Sequence, residues 1–142
     1  MIPRLLVFLQ FLVIFLFLLS GNIFPLHFPE ILIIGLGIFL GMWAIFEQKP
    51  GNFNIKPTNK KGALLIESGP YRFIRHPMYL SIIIALTPLA FAHFNWLRMA
   101  LGLLLLTVLI LKLEYEEKQL IRHFQQYAHY KSKTWKLIPF VY

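Results

Sequence analysis

Four long stretches of this chain carry almost no charge: residues 5–19, 31–46, 79–94 and 97–113, each 15 to 17 residues long. At about 1.5 Å of rise per residue, helices of that length cover roughly 23 to 26 Å, a little less than the ~30 Å hydrocarbon core of a bilayer. Flanking residues such as 23–28 and Trp96 would complete the crossing. A soluble core helix can be equally apolar, but four of them in 142 residues leave almost no sequence for a water-facing shell. Charged residues make up only 14%, against about 25% in an ordinary soluble domain.

The reading is therefore an all-α integral membrane protein, one domain over residues 1–142, with four transmembrane helices. Its orientation follows from the basic residues, which are retained on the cytoplasmic side of short loops. With both termini cytoplasmic, thirteen of the fourteen Lys and Arg residues share one side: Arg4, the middle loop 47–78, Lys112 and the tail 114–142. Only Arg98, in the short link before the fourth span, falls on the other side, where Trp96 suits an interfacial anchor. The first run also has the outline of a secretory signal, since Arg4 precedes it and Ser20-Gly21 follows. It lacks small residues at both cleavage positions, and its removal would leave an odd number of spans. In the second span Gly37 and Gly41, four apart, would allow close helix approach, although glycine is also simply tolerated in such helices.

Two polar constellations stand out. The first ends the middle loop as Ser68-Gly69-Pro70-Tyr71-Arg72-Phe73-Ile74-Arg75-His76-Pro77-Met78-Tyr79. Gly69-Pro70 is a turn, and Pro77 makes His76 extended and is pre-set for the first position of a helix. Helix N-termini favour anions, so Arg75, His76 and the helix start would form a pocket for a carboxylate or phosphate, with Tyr71 and Tyr79 supplying hydroxyls or ring faces. The same residues also suit a plainer role, Arg75 snorkelling to headgroups and His76 capping the helix.

The second constellation is Lys112-Leu113-Glu114-Tyr115-Glu116-Glu117-Lys118-Gln119-Leu120, where the fourth span leaves the membrane. Lys112 and Glu116 share a helix face, in the less favourable order for a salt bridge. An exposed charged helix end is the bland alternative. Beyond it Leu120, Ile121, Phe124, Tyr127 and Tyr130 recur at helical spacing among polar residues, which predicts a C-terminal interfacial amphipathic helix. No Cys is present, and His27, His93, His123 and His129 lack metal-ligand spacing, so no metal is expected. The net charge of +8 lies along a membrane face rather than on a nucleic-acid-binding surface.

Taken together, Gly69-Pro70-Tyr71, Arg75-His76-Pro77-x-Tyr79, Glu116-Glu117-x-x-Leu120, and then Phe124, Tyr127, Tyr130, Thr134 and Ile138-Pro139 resemble the isoprenylcysteine carboxyl methyltransferase and phospholipid methyltransferase superfamily. The resemblance runs from Ala63 to Pro139. It implies an integral membrane enzyme that binds S-adenosylmethionine on the cytoplasmic side without a Rossmann domain. It further implies cofactor contacts from Ala63, Leu64, Leu65, Ile66, Tyr71, His76, Pro77, Met78, Tyr79 and Glu116, and substrate contact from Lys112. Phe124-Gln125 stands where the family has Phe-Gly, the spacing from Phe124 to Tyr127 is one residue short, and Lys112 lacks the bidentate fork of the usual Arg.

On this basis Arg75 and the helix start at Pro77 are expected to hold the cofactor's carboxylate, Glu116 its amine or ribose, and a ring of Tyr71 or Tyr79 to face the sulfonium. A carboxylate acceptor needs no base; an amine would need one, for which Glu117 and His123 are the candidates. Arg75, Glu116 and Glu117 are thus the expected catalytic residues, and the acceptor would be a lipid or other lipophilic molecule entering from the bilayer. The competing readings are an NADPH-dependent membrane reductase similar to sterol reductases and a non-catalytic membrane-interaction protein.

Overall fold

The computed structural model describes residues 2–48, 65–92 and 94–142. Five α-helices follow one another: α1 (Ile2–Leu19), α2 (Phe28–Glu47), α3 (Pro77–Ala92), α4 (Trp96–His123) and α5 (Tyr127–Lys133), with a 3₁₀ turn at Gly69–Arg72. Pro29 sits in the first turn of α2, and α3 opens on Pro77, both at positions where a missing N–H costs nothing. Asn95 caps α4 by accepting from the Leu97 N–H at 2.8 Å.

The helices associate as two antiparallel pairs, α1 with α4 and α2 with α3. Val13 of α1 joins Leu105, Leu109 and Leu113 of α4 in one buried cluster, which Tyr79 and Leu137 complete. Phe17 packs with Leu89 and Ala90 in a second. The α2–α3 contact is made by small residues, as the Gly37 and Gly41 pair predicted. A Cβ on Gly37 would lie 2.7 Å from the Ala85 nitrogen and one on Gly41 2.9 Å from Ser81 Oγ, whereas Gly35 faces open space.

The outward faces are apolar: Phe8, Phe11, Phe15, Ile31, Leu36, Phe39, Leu103 and Leu111 are all exposed, as expected of helices solvated by lipid rather than water. Helices α2 and α4 are each long and apolar enough to cross a membrane; α1 and α3 are apolar but shorter. At about 1.5 Å per residue, the 28 residues of α4 span roughly 42 Å, so its last turns, which carry Glu114, Glu116 and Glu117, extend beyond the apolar run 97–113.

Two expectations change. Arg98, placed in the link before the fourth span, belongs to the helix itself. It lies in the first turn of α4, 1% exposed, donating from Nε to Ser20 Oγ at 3.3 Å and from Nη1 to the carbonyls of Asn22 and Leu89 at 3.0 Å. A buried guanidinium is held by whatever acceptors surround it, and here it pins the α1–α2 connection to the ends of α3 and α4. The expected single amphipathic helix is likewise divided. Phe124 adopts an extended conformation that ends α4, and α5 starts anew at Tyr127. Tyr127 and Tyr130, read as part of a lipid-facing stripe, are 1% and 5% exposed and turn inward, because the polar groups that complete their hydroxyls lie inside.

Candidate active site

The polar residues of both constellations meet at one end of the bundle, where α3 begins and α4 leaves its apolar run. Arg75 directs Nε to Glu117 Oε1 at 2.5 Å, with side chains 6% and 3% exposed. Its Nη1 donates to the carbonyl and the hydroxyl of Thr134 and, at 3.2 Å, to the Lys131 carbonyl. Glu117 Oε1 also accepts from the Tyr127 hydroxyl at 3.2 Å, and Lys131 Nζ stands 3.6 Å from Oε2. Burial by itself would raise the Glu117 carboxyl, but Arg75, through its hydrogen bond and charge, and the neighbouring His76 outweigh it and hold the group well below the ordinary carboxylate range.

Glu116, one residue earlier on α4, faces a different neighbour. Its Oε2 accepts from the Tyr79 hydroxyl at 2.5 Å. His76 stands between the two glutamates, Nδ1 3.7 Å from Glu116 Oε2 and Nε2 3.5 Å from Glu117 Oε1, and its ring stacks on Tyr79 at 5.4 Å between centroids, the planes 4° apart. These two distances exceed those of a hydrogen bond. His76 Nε2 and Glu117 Oε2 are both buried without a hydrogen-bond partner among the described residues. Such atoms are uncommon in a folded interior; Glu30 Oε2 and Arg98 Nη2, away from this junction, share the property.

The backbone before α3 is fixed by the C-terminal tail. Ile74 forms an isolated parallel bridge with Trp135; the Arg75 N–H donates to the Trp135 carbonyl at 2.8 Å and the His76 N–H to the Lys136 carbonyl at 3.1 Å. Tyr71 is buried in the 3₁₀ turn. Its hydroxyl accepts from Gln48 Nε2 at 2.9 Å and its carbonyl from the Tyr130 hydroxyl at 2.6 Å. Gly69 has φ +57, a left-handed conformation that favours glycine, and it packs against the Glu47 side chain at the end of α2.

Arg75, His76, Pro77, Tyr79, Glu116 and Glu117 are therefore gathered into one site, with Tyr71 beside it and Lys112 one turn back along α4, over the Tyr79 ring. Met78 is half-buried in the first turn of α3, and Leu65 and Ile66 are half-buried ahead of the 3₁₀ turn. Ala63 and Leu64 lie outside the described residues. Two roles shift. Arg75, expected to hold a ligand carboxylate, already serves a protein carboxylate and backbone carbonyls. The residues that open α3, expected as a ligand anion site, already lie against acids, the His76 side chain between Glu116 and Glu117 and the Tyr79 hydroxyl on Glu116. His123 is exposed at the end of α4, its ring set against Phe124.

Gln10 and Gln48 were not foreseen as site residues. For Gln10 there was a signal, since it is the one polar residue in the run 5–19; it is 5% exposed, and its Oε1 accepts from Lys112 Nζ at 2.8 Å. Gln48 follows a helix end and nothing in its spacing distinguishes it.

A family model for the isoprenylcysteine carboxyl methyltransferase (ICMT) family matches residues 30–122 of the chain. That region runs from the first turn of α2 to the end of α4 and contains both constellations, while α1 and the tail lie outside it. No curated protein matches the chain.

Proposed function

Because the chain belongs to the isoprenylcysteine carboxyl methyltransferase family, a family of membrane methyltransferases, we propose that it methylates a lipophilic acceptor from S-adenosylmethionine at the cytoplasmic face of a membrane. All four apolar helices cross the bilayer in this reading, with both termini cytoplasmic. The antiparallel pairing supports it. Lys112, Glu116, the 3₁₀ turn and the tail share one end of the bundle, and Arg98 marks the other.

One observation carries the proposal: the Arg-His-Pro opening of α3 is held against the Glu-Glu pair of α4, with His76 Nε2 and Glu117 Oε2 buried and without a hydrogen-bond partner among the described residues. A ligand bearing an amine, ribose hydroxyls and a cationic sulfur suits a site with this donor and acceptor set. Glu116 and His76 would hold it, with Tyr71 and Tyr79 as flanking rings. Arg75, whose Nε and Nη1 are engaged by protein acceptors, fixes Glu117 and the tail instead of contacting it. S-adenosylmethionine supplies a methyl group on a sulfonium, which passes to an acceptor oxygen or nitrogen as the carbon–sulfur bond breaks and S-adenosylhomocysteine leaves.

Neither candidate base favours an amine acceptor. Glu117 is engaged by Arg75 and Tyr127, and His123 is exposed at the end of α4. An ionised carboxylate needs no proton removed, so this arrangement supports a lipophilic carboxylate as the acceptor. Pre-orientation and exclusion of water are then the main demands on the protein, and a rigid junction of buried hydrogen bonds meets them.

Binding of S-adenosylhomocysteine and of NADPH to the purified protein tests the reading. Saturable binding of the former and none of the latter is expected, with Glu116→Gln and His76→Ala weakening it far more than Lys112→Ala. NADPH binding in its place would make the chain a reductase, and binding of neither would leave it without an enzymatic role.

A further inference from the structure

Lys112 is a buried cation without an acid partner. Its residue is 9% exposed, and among the described residues no carboxylate lies within 4.0 Å of Nζ. Glu116, four residues on along the same helix, is within the ordinary reach of a lysine and could pair with it, though in the less favourable order. It does not, because each is drawn elsewhere. Glu116 accepts the Tyr79 hydroxyl at 2.5 Å. Lys112 Nζ donates to Gln10 Oε1 at 2.8 Å and lies 4.9 Å from the centroid of the Tyr79 ring. An ammonium has three N–H donors, of which Gln10 takes one. A desolvated charge satisfied by one neutral amide is costly to keep, which is expected where the charge serves a ligand.

We propose that Gln10 is a positioning residue: by drawing the Lys112 ammonium across to α1 it prevents Lys112 and Glu116 from neutralising each other, and so keeps a cation available for the carboxylate of a lipophilic acceptor. This rests on the functional reading above and extends it to α1, a helix outside the region that the family model matches. The geometry divides the site by charge. Glu116 and the His76 edge form an anionic side for the cofactor, the Gln10-held ammonium forms a cationic side for the acceptor, and the Tyr79 ring with its hydroxyl separates them. Without Gln10, Lys112 swings to Glu116, and the two charges cancel.

The probes are N-acetyl-S-farnesylcysteine and its methyl ester, which differ at the carboxylate alone. Their binding is measured on the full chain in lipid nanodiscs saturated with S-adenosylhomocysteine. Wild type is expected to prefer the acid by about tenfold or more, the scale of one charge-assisted hydrogen bond. Lys112→Met abolishes that preference and Gln10→Met removes most of it, and in the Lys112→Met background Gln10→Met has no further effect. Gln10→Glu keeps the side-chain shape but pairs the ammonium from within, so it reverses the preference in favour of the ester. An unchanged acid preference in Gln10→Met or Gln10→Glu overturns the inference, as does an equal loss of acid and ester affinity, which is what a merely structural role predicts. A wild-type chain that binds S-adenosylhomocysteine but does not distinguish acid from ester overturns this inference alone. One with no saturable binding of S-adenosylhomocysteine overturns the functional reading and this with it.

Discussion

Replacing Glu117 by Gln is the sharpest test of how the junction is held together. The substitution keeps the side-chain volume and an oxygen that accepts from Arg75 Nε and the Tyr127 hydroxyl, but deletes the charge. Arg75, 6% exposed, is then a buried cation left, among the described residues, with neutral acceptors alone: the amide oxygen at position 117 and the Thr134 and Lys131 groups. Removing one partner of a buried ion pair costs about 3–5 kcal/mol, and the surviving carbonyl contacts place this case near the lower end, at about 3 kcal/mol. For a chain of this length each kcal/mol is worth about 3 to 4 °C, so a fall of roughly 10 °C is expected. Thermal unfolding in nanodiscs measures it, with the exposed Lys133→Gln as control. The double variant Arg75→Met with Glu117→Leu should recover more than half of the loss, since it removes both charges at once. Glu117→Gln melting with the control, or the double variant losing the sum of its two single substitutions, would refute the pairing as the source of stability. The pH dependence has a definite sign. The Glu117 carboxyl is depressed in the folded state from its ordinary 4.5, so its contribution is complete above that value and is lost as pH falls further. The Gln variant should lack that acid-side loss.

Three other outcomes follow from the same geometry. Ending the chain after Lys133 removes the tail segment that binds the Arg75 and His76 backbone N–H groups, and should weaken S-adenosylhomocysteine binding more than tenfold by calorimetry; retained affinity would show that the tail does not order the site. Gly37→Leu drives a Cβ against the α3 backbone at 2.7 Å and should cost about 1–3 kcal/mol or more, while Gly35→Leu, with nothing within 4 Å, should melt like wild type. Burial raises the Tyr127 and Tyr130 hydroxyls above their ordinary 10.0, so their stabilisation is complete below pH 10 and is lost as pH rises through the folded values. Tyr127→Phe with Tyr130→Phe should flatten that alkaline decline in a denaturation series, and an unchanged slope would contradict their burial.

Much of the site could be read along the chain because its signals are local. Pro77 sets a helix start through its own ring, and α3 begins there. Glu116 and Glu117 stand out as adjacent acids beyond an apolar run, and they lie at the junction. The spacing of Gly37 and Gly41 marks a helix face, and that face meets α3. At Arg98, Arg75 and the tail, periodicity identified a face but not what the face would meet. Tyr127 and Tyr130 recur at helical spacing whether the stripe points to lipid or to Glu117, and only the break at Phe124 decides between them.

The sequence by itself determined the apolar helices, the charge asymmetry between their ends, the Arg-His-Pro and Glu-Glu elements and, through them, the family. Those properties depend on composition and on spacings of a few residues, which a helix converts directly into geometry. Only the tertiary structure decided that Arg75 belongs to Glu117, 42 positions away, that the tail clamps the backbone before α3, and that Gln10 holds Lys112, 102 positions away. Buried polar groups must find partners in an interior without water, and which partners are within reach depends on how the helices pack.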